Sequence, residues 1–234
     1  MCGRFVQASA PTLLVEHFHV DEVVVDETLE PHYNVAPRMD ALTIVDRDHT
    51  RSLGQMRWGL VPLWAESPAV GDRMINARAE TLLEKAAFRS AFERRRCIIP
   101  VDGFYEWKTT PGPKKQPMYI HARDGAPLAF AGLWESWRDG DAPDAPWLRT
   151  CAVITTDANA LMRPVHDRMP VVLDEDDWEE WLDREVTDAG SLAPLLHPPS
   201  EEVLVMYPVS TRVNAARNDD ATLIEREDPL TLFP

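Results

Sequence analysis

The chain has 234 residues, is 44% hydrophobic with eight tryptophans, and carries a net charge of −15. No apolar run approaches the roughly 20 residues a membrane helix needs, and no basic start followed by an apolar stretch marks an export signal, so an integral membrane protein is excluded and a cytoplasmic location is expected. Cys2, Cys97 and Cys151 are odd in number, far apart and without C-x-x-C spacing, which argues against a disulfide framework or a zinc site and leaves Cys97 and Cys151 as small buried residues.

In chain order, a helix is expected from near Pro11, with Leu13, Leu14 and Phe18 on one face and proline early, where its missing donor costs nothing. His17 and His19 would diverge by about 200° on that helix and so would not share a metal. Tyr33 to Pro37 reads as a turn, and residues 41–45 and 52–58 as a hairpin joined through Asp46-Arg47-Asp48-His49. Residues 78–95 carry Leu82, Leu83, Phe88, Ala91 and Phe92 at helical spacing and read as two short helices.

Strands then follow at 97–101, 103–107, 118–121, 128–133, 151–155, 170–173 and 203–207, with loops at 108–117 and 139–146. Asp174 to Asp183 places Trp178, Trp181 and Leu182 at helical spacing, with carboxylates on the remaining faces. No linker is long enough to mark a boundary, so residues 1–234 are read as a single domain. The expected class is α+β: a curved mixed or antiparallel sheet or open barrel with peripheral helices, whose loops carry the site.

The opening Met1-Cys2-Gly3-Arg4-Phe5 raises a chemical possibility that no internal cysteine offers. Loss of Met1 would leave a free amine and a thiol two carbons apart. An aldehyde could form an imine with that amine and then be closed by the sulfur into a thiazolidine. With reference pKa values of about 7.7 to 8.0 for the amine and about 8.5 for the thiol, a fraction of each nucleophile is free near neutral pH. Taken alone, the pentapeptide is equally a small residue after a start codon.

Further stretches stand out downstream: Tyr33-Asn34-Val35-Ala36-Pro37, Trp58 to Trp64, and Asn76-Ala77-Arg78-Ala79-Glu80, whose three polar side chains share a face if the backbone is extended. Gly103-Phe104-Tyr105-Glu106-Trp107 sets one carboxylate among three aromatics, a desolvated setting suited to general acid/base work. His166-Asp167-Arg168-Met169-Pro170 sets a histidine in a polar segment before an apolar strand. Singly, Glu106 reads equally as a surface residue of an amphipathic strand and His166 as a structural histidine.

Together and in this order, with Asp102-Gly103, Pro208-Val209-Ser210, Val213-Asn214 and Asn218, these segments resemble the SRAP family, the SOS-response-associated peptidase domain, over nearly the whole chain. The resemblance implies a sensor of abasic sites in single-stranded DNA that forms a covalent DNA–protein crosslink through its N-terminal cysteine; a monomer without cofactor or metal is expected. Carried over, Cys2 is the nucleophile, Asn76 bonds near its reacting groups, Glu106 shuttles protons, and His166 assists sugar-ring opening and reversal. Arg4, Arg78 and Arg168 would hold phosphates, Asn34 counts among the DNA contacts, and Trp64 and Pro37 would cover exposed bases. Position 65 is alanine where some relatives carry a second aromatic.

Two rival readings remain: a cysteine peptidase using Cys2, Asn76 and His166, and a non-covalent reader of single-stranded or modified DNA. The charge is uneven, with 16 basic and 17 acidic residues in 1–125 against 8 and 22 in 126–234. A DNA cleft is therefore expected on the first half, with the acidic second half facing away. Low lysine with abundant aspartate and glutamate also suggests a salty cytoplasm, in which a covalent bond would retain a lesion that ionic contacts could not.

Overall fold

The computed structural model describes residues 2–25, 30–111, 113–140, 142 and 144–227. Its strands are β1 (Phe5–Gln7), β2 (Glu22–Val23), β3 (His32–Val35), β4 (Asp40–Arg47), β5 (Thr50–Trp58), β6 (Asn76–Arg78) and β7 (Arg96–Val101). They continue with β8 (Gly103–Thr109), β9 (Lys115–Ala122), β10 (Leu128–Trp137), β11 (Leu148–Asp157), β12 (Arg168–Pro170) and β13 (Leu204–Pro208). The helices are short: α1 (Pro11–His17), α2 (Ala86–Arg94), α3 (Trp178–Leu182) and α4 (Ala189–Leu192). None of the described helices is long and apolar enough to cross a membrane.

One sheet runs β13-β9-β8-β1-β3 and the other β12-β11-β10-β7-β4-β5-β2, with β6 pairing in parallel to β11 off this path. Parallel pairing of Thr150 with Arg57 and Cys151 with Trp58 joins β11 back to β5, which closes the second sheet on itself. The α+β class with a barrel-like mixed sheet and outer helices is thus the observed architecture.

Burial on β7 explains the layering. Every residue of this strand is buried, so both of its faces must be covered. Ile98 joins the cluster of Phe92, Trp178, Trp181 and Leu182 on the helical side. Cys97 and Ile99 point the other way, into a cluster with Cys2, Phe5, Trp58, Phe104 and Phe130 that fills the space between the sheets. The two internal cysteines are fully buried, as expected for small apolar residues.

Several boundaries differ from expectation for identifiable reasons. The β4–β5 ladder extends to Arg47 and Thr50, because Asp48 and His49, with φ of 53° and 62°, make the two-residue turn whose twist suits a hairpin. Strands β8 and β9 continue to Thr109 and Lys115, into what reads as loop, since their ends are exposed and polar and show no alternation. Residues 32–35 are strand rather than turn, paired to β1 through Phe5 and Val35; the bend follows, at Arg38 with φ of 77°. Residues 79–81 and 86–94 are the two expected short helical pieces, the first a 3-10 turn.

Candidate active site

Cys2 lies three residues ahead of β1, fully buried between the sheets. Two neighbouring strands fix it. Strand β1 pairs with β3 on one side and β8 on the other, and the Tyr105 amide donates to the Arg4 carbonyl at 3.0 Å. Across the core, β6 runs parallel to β11, with Asn76 opposite Val153, and Asn76 Nδ2 donates to the Cys2 carbonyl at 2.8 Å. The other amide atom, Asn76 Oδ1, is buried without a protein partner.

Glu106 sits on β8, two residues beyond the Phe104 that pairs with Phe5, and is itself buried. Burial, reinforced by the Glu106 charge, pushes the Cys2 thiol far above its ordinary range. The sulfur is therefore held as a neutral thiol, with a carboxylate close enough to feel it. Gly103 allows the approach of β8 to its neighbour, since a Cβ there would run into the Tyr119 ring.

Arg4 is half-buried and donates from Nη1 to Asn34 Oδ1 at 2.8 Å and to the Val213 carbonyl at 3.0 Å; desolvation lowers its pKa. Asn34, expected among the DNA contacts, lies away from the surface. It is fully buried, and its amide nitrogen is shared among the carbonyls of Val213, Ala215 and Asn218 at 3.2, 3.2 and 2.8 Å. It orients Arg4 and anchors the 211–218 segment instead. That segment is the far end of the family-like pattern, and Trp107 Nε1 reaches its Asn214 Oδ1 at 2.7 Å.

Arg168 also differs from expectation. It is buried on β12, and its guanidinium is gripped by both oxygens of Glu80, by Asp157 Oδ1 at 2.7 Å and by the Thr155 carbonyl at 2.6 Å. A carboxylate pair satisfies the guanidinium fork, which explains why it turns inward. Its backbone N–H donates to His166 Nδ1 at 2.9 Å, the nitrogen that also lies 2.8 Å from Asp167 Oδ1. Glu80 and Arg168 thereby tie the half-buried His166 segment to the stretch that carries Asn76 and Arg78.

Arg78 is exposed and, among the described residues, in no ion pair. Leu63 and Trp64 are each 62% exposed, while Pro37 is half-buried. Ala65 is buried under Trp137, whose Nε1 donates to its carbonyl at 2.7 Å. An aromatic at position 65 would thus meet the core rather than extend the Trp64 surface. Sequence reasoning missed Glu80 and Asp157 as partners of Arg168; the alternation of Asn76, Arg78 and Glu80 was the available signal for the first, and nothing marked the second.

The acidic α3 region packs its tryptophans on the helical side of the second sheet, opposite the cluster that holds Cys2. Not all of the second half faces away, however. Asp219 accepts from the Tyr33 amide at 2.5 Å and pairs with His32 at 2.7 Å, on β3 beside the site.

A family model described as SOS response associated peptidase (SRAP) matches residues 1–216. The Abasic site processing protein YoqW of Bacillus subtilis (strain 168) is 44% identical over 225 residues, 96% of this chain and 99% of that protein. The Abasic site processing protein YedK of Escherichia coli (strain K12) is 32% identical over 232 residues, 96% of this chain and 99% of that one. Among solved structures, a protein from Bacteroides thetaiotaomicron matches with a TM-score of 0.85 at 26% identity, covering 97% of this chain and 100% of that chain. A phage-related protein from Bordetella bronchiseptica matches with a TM-score of 0.69 at 34% identity, over 89% and 94% of the two chains. With matches over almost its entire length, the chain belongs to the SRAP family.

Proposed function

We propose that this chain, once Met1 is removed, recognises abasic sites in single-stranded DNA and joins them covalently through Cys2 as a thiazolidine. The name shared by its relatives supports the substrate class. The observation that carries the chemistry is a buried Glu106 beside the Cys2 thiol, with Asn76 bonded to the Cys2 carbonyl at 2.8 Å.

The open-chain abasic sugar is an aldehyde. The free Cys2 amine adds to its carbon, water leaves, and an imine results. The sulfur then adds to the same carbon and its proton passes to the nitrogen, so that aldehyde and aminothiol give thiazolidine plus one water. Because burial keeps the thiol neutral, the amine is the first nucleophile and the sulfur needs a base at the second step. Glu106 is that base, and it also serves as the proton relay for loss of water. Asn76 Oδ1, without a protein partner, accepts from the new amine and aims it.

His166 assists ring opening of the closed sugar, held by the Arg168 backbone. Arg4 and Arg78 hold flanking phosphates, and Trp64 with Pro37 covers a base. A cysteine hydrolase reading fits less well, because nucleophilic thiols of that kind have depressed pKa values, whereas this one is raised.

Incubation of Met1-free protein with an oligonucleotide containing one abasic site should give an adduct stable on a denaturing gel, with the intact mass of protein plus DNA minus one water. Cys2→Ser and a form that retains Met1 should both lose it. Peptide turnover without an adduct would favour the hydrolase, and undiminished denaturant-resistant capture by Cys2→Ser would overturn the proposal.

A further inference from the structure

A cavity of about 440 Å³ opens on the β4–β5 hairpin, away from the Cys2, Glu106 and His166 elements. Its walls follow from strand register. Thr43 faces Gly54, Val45 faces Ser52 and Arg47 faces Thr50, three successive rungs on one face of the antiparallel pair. Gly54 contributes no side chain, which leaves space over Thr43; a Cβ at that position would come within 3.1 Å of Val24 Cγ2. Closure of β5 on β11 brings Arg149 to the same cavity.

The polar content of this space is uneven in a way that points to an anion. Thr43 is only 1% exposed and its hydroxyl has no partner in the protein; an unmet buried hydroxyl is costly. Arg47 and Arg149 are exposed, and among the described residues neither has a carboxylate partner. Arg47 is held in place by lying over the Trp134 ring, 5.6 Å from its centroid. The one wall carboxylate, Glu22, accepts from Ser52 Oγ at 3.2 Å. Arg47 and Arg149 line the same cavity as Thr43; guanidinium forks and a hydroxyl donor are the groups that bind the oxygens of a phosphoryl group, and the volume suits a small ligand.

We infer that this cavity is a second, phosphate-binding site, distinct from the Cys2 centre, with Arg47 and Arg149 holding the phosphoryl oxygens and Thr43 donating from the floor. The phosphate is either that of a free nucleotide or one in the strand flanking a lesion, and the same groups would bind both. The site does not depend on the abasic-site chemistry.

The test is isothermal titration of the full-length protein with inorganic phosphate and with dAMP, together with crosslinking rates on abasic oligonucleotides of short and long flanks. Saturable binding weakened about tenfold by Arg47→Gln or Arg149→Gln, as expected for loss of a charged contact worth about 1.4 kcal/mol, supports a nucleotide site. A long-flank advantage that the same variants abolish, without free phosphate binding, supports a strand contact. Thr43→Val keeps the shape while removing the hydroxyl, and should weaken whichever ligand binds without lowering Tm. Cys2→Ser should retain phosphate binding, which separates failure here from failure of the crosslinking proposal. No saturable binding by either small ligand, together with unaltered flank dependence in both arginine variants, would overturn the inference.

Discussion

Asn76 Nδ2 donates to the backbone carbonyl of Cys2 at 2.8 Å, so the parallel register of β6 on β11 decides where the second residue of the chain sits. A side chain from the middle of the protein thereby positions a terminus that would otherwise fray. Asn76→Ala should slow crosslinking about 2- to 13-fold, the effect of one neutral hydrogen bond of about 0.5–1.5 kcal/mol, while Tm changes little. Asn76→Asp should do more harm, since its carboxylate would face a carbonyl. Single-turnover rates read from denaturing gels, set beside thermal melts, check both.

Alkaline pH should destabilise the fold in a window set by cysteines. Burial raises the pKa of Cys2, Cys97 and Cys151 in the folded chain. In the unfolded chain each thiol ionises above about pH 8.5, while the folded thiols stay protonated, so the unfolded state binds fewer protons and stability falls as pH rises. The slope per group approaches about 1.4 kcal/mol per pH unit. Urea midpoints should be flat below about pH 8 and drop beyond it, and Cys151→Ala should flatten that drop even though it lowers the midpoint at neutral pH. A curve as steep in the variant would remove the cysteine from the explanation.

Arg96 is a buried arginine whose hydrogen bonds go to backbone carbonyls. Its guanidinium donates to the carbonyls of Phe92 and Glu93 at the end of α2, each at 2.8 Å, and to those of Trp181, Asp183 and Val186. Desolvation pushes its pKa down to about 10. It joins the ends of two helices to β7 in a way that the flexible point charge of lysine would not. Arg96→Met should lower stability by about 3 kcal/mol or more, because several buried acceptors lose their donor at once. Arg96→Lys should recover only part of that, by chemical denaturation, with crosslinking under native conditions largely kept.

The α+β class and the short runs that carry the candidate residues were legible in this sequence, and the reason is locality. Cys2, Asn76, Glu106 and His166 stand in short runs whose residue types are unusual for the strands around them. Strand runs such as 97–101 were visible because burial on both faces demands continuous apolar residues. What could not be read were properties created by pairing between distant segments. Asn34 reads as a polar loop residue until β3 is placed beside the 211–218 segment, whose carbonyls take its amide. Arg168 reads as a surface cation until Glu80, from the 3-10 turn after β6, and Asp157, from the end of β11, are brought to it. Closure of β5 on β11, which needs contact between residues 57 and 150, leaves no local trace.

Trp64 separates stacking from stability. At 62% exposure it contributes little to the core, so Trp64→Ala should leave Tm unchanged. It should weaken initial DNA binding by about 1–3 kcal/mol if one base stacks on it. Fluorescence anisotropy of a labelled strand with Cys2→Ser, which blocks the covalent step, measures that loss directly.

Salt should act on the encounter more than on the final bond. The acidic α3 region lies across the sheet from the site, while Asp219 and Asp167 remain near it, so at the Cys2 site the proposed phosphate contacts are Arg4 and Arg78, apart from any strand contact at Arg47 and Arg149. Two phosphate contacts with a single strand give a log–log slope of about −1.4, a loss of about sevenfold in affinity between 50 and 200 mM salt. A ring that closes covalently does not re-equilibrate with salt at the same rate. End-point adduct yield should therefore hold as potassium chloride rises while the initial rate falls along that slope. A slope several times steeper would require phosphate contacts beyond these two arginines, and a collapse of end-point yield at moderate salt would sink the idea that the covalent bond suits this acidic chain to a salty cytoplasm.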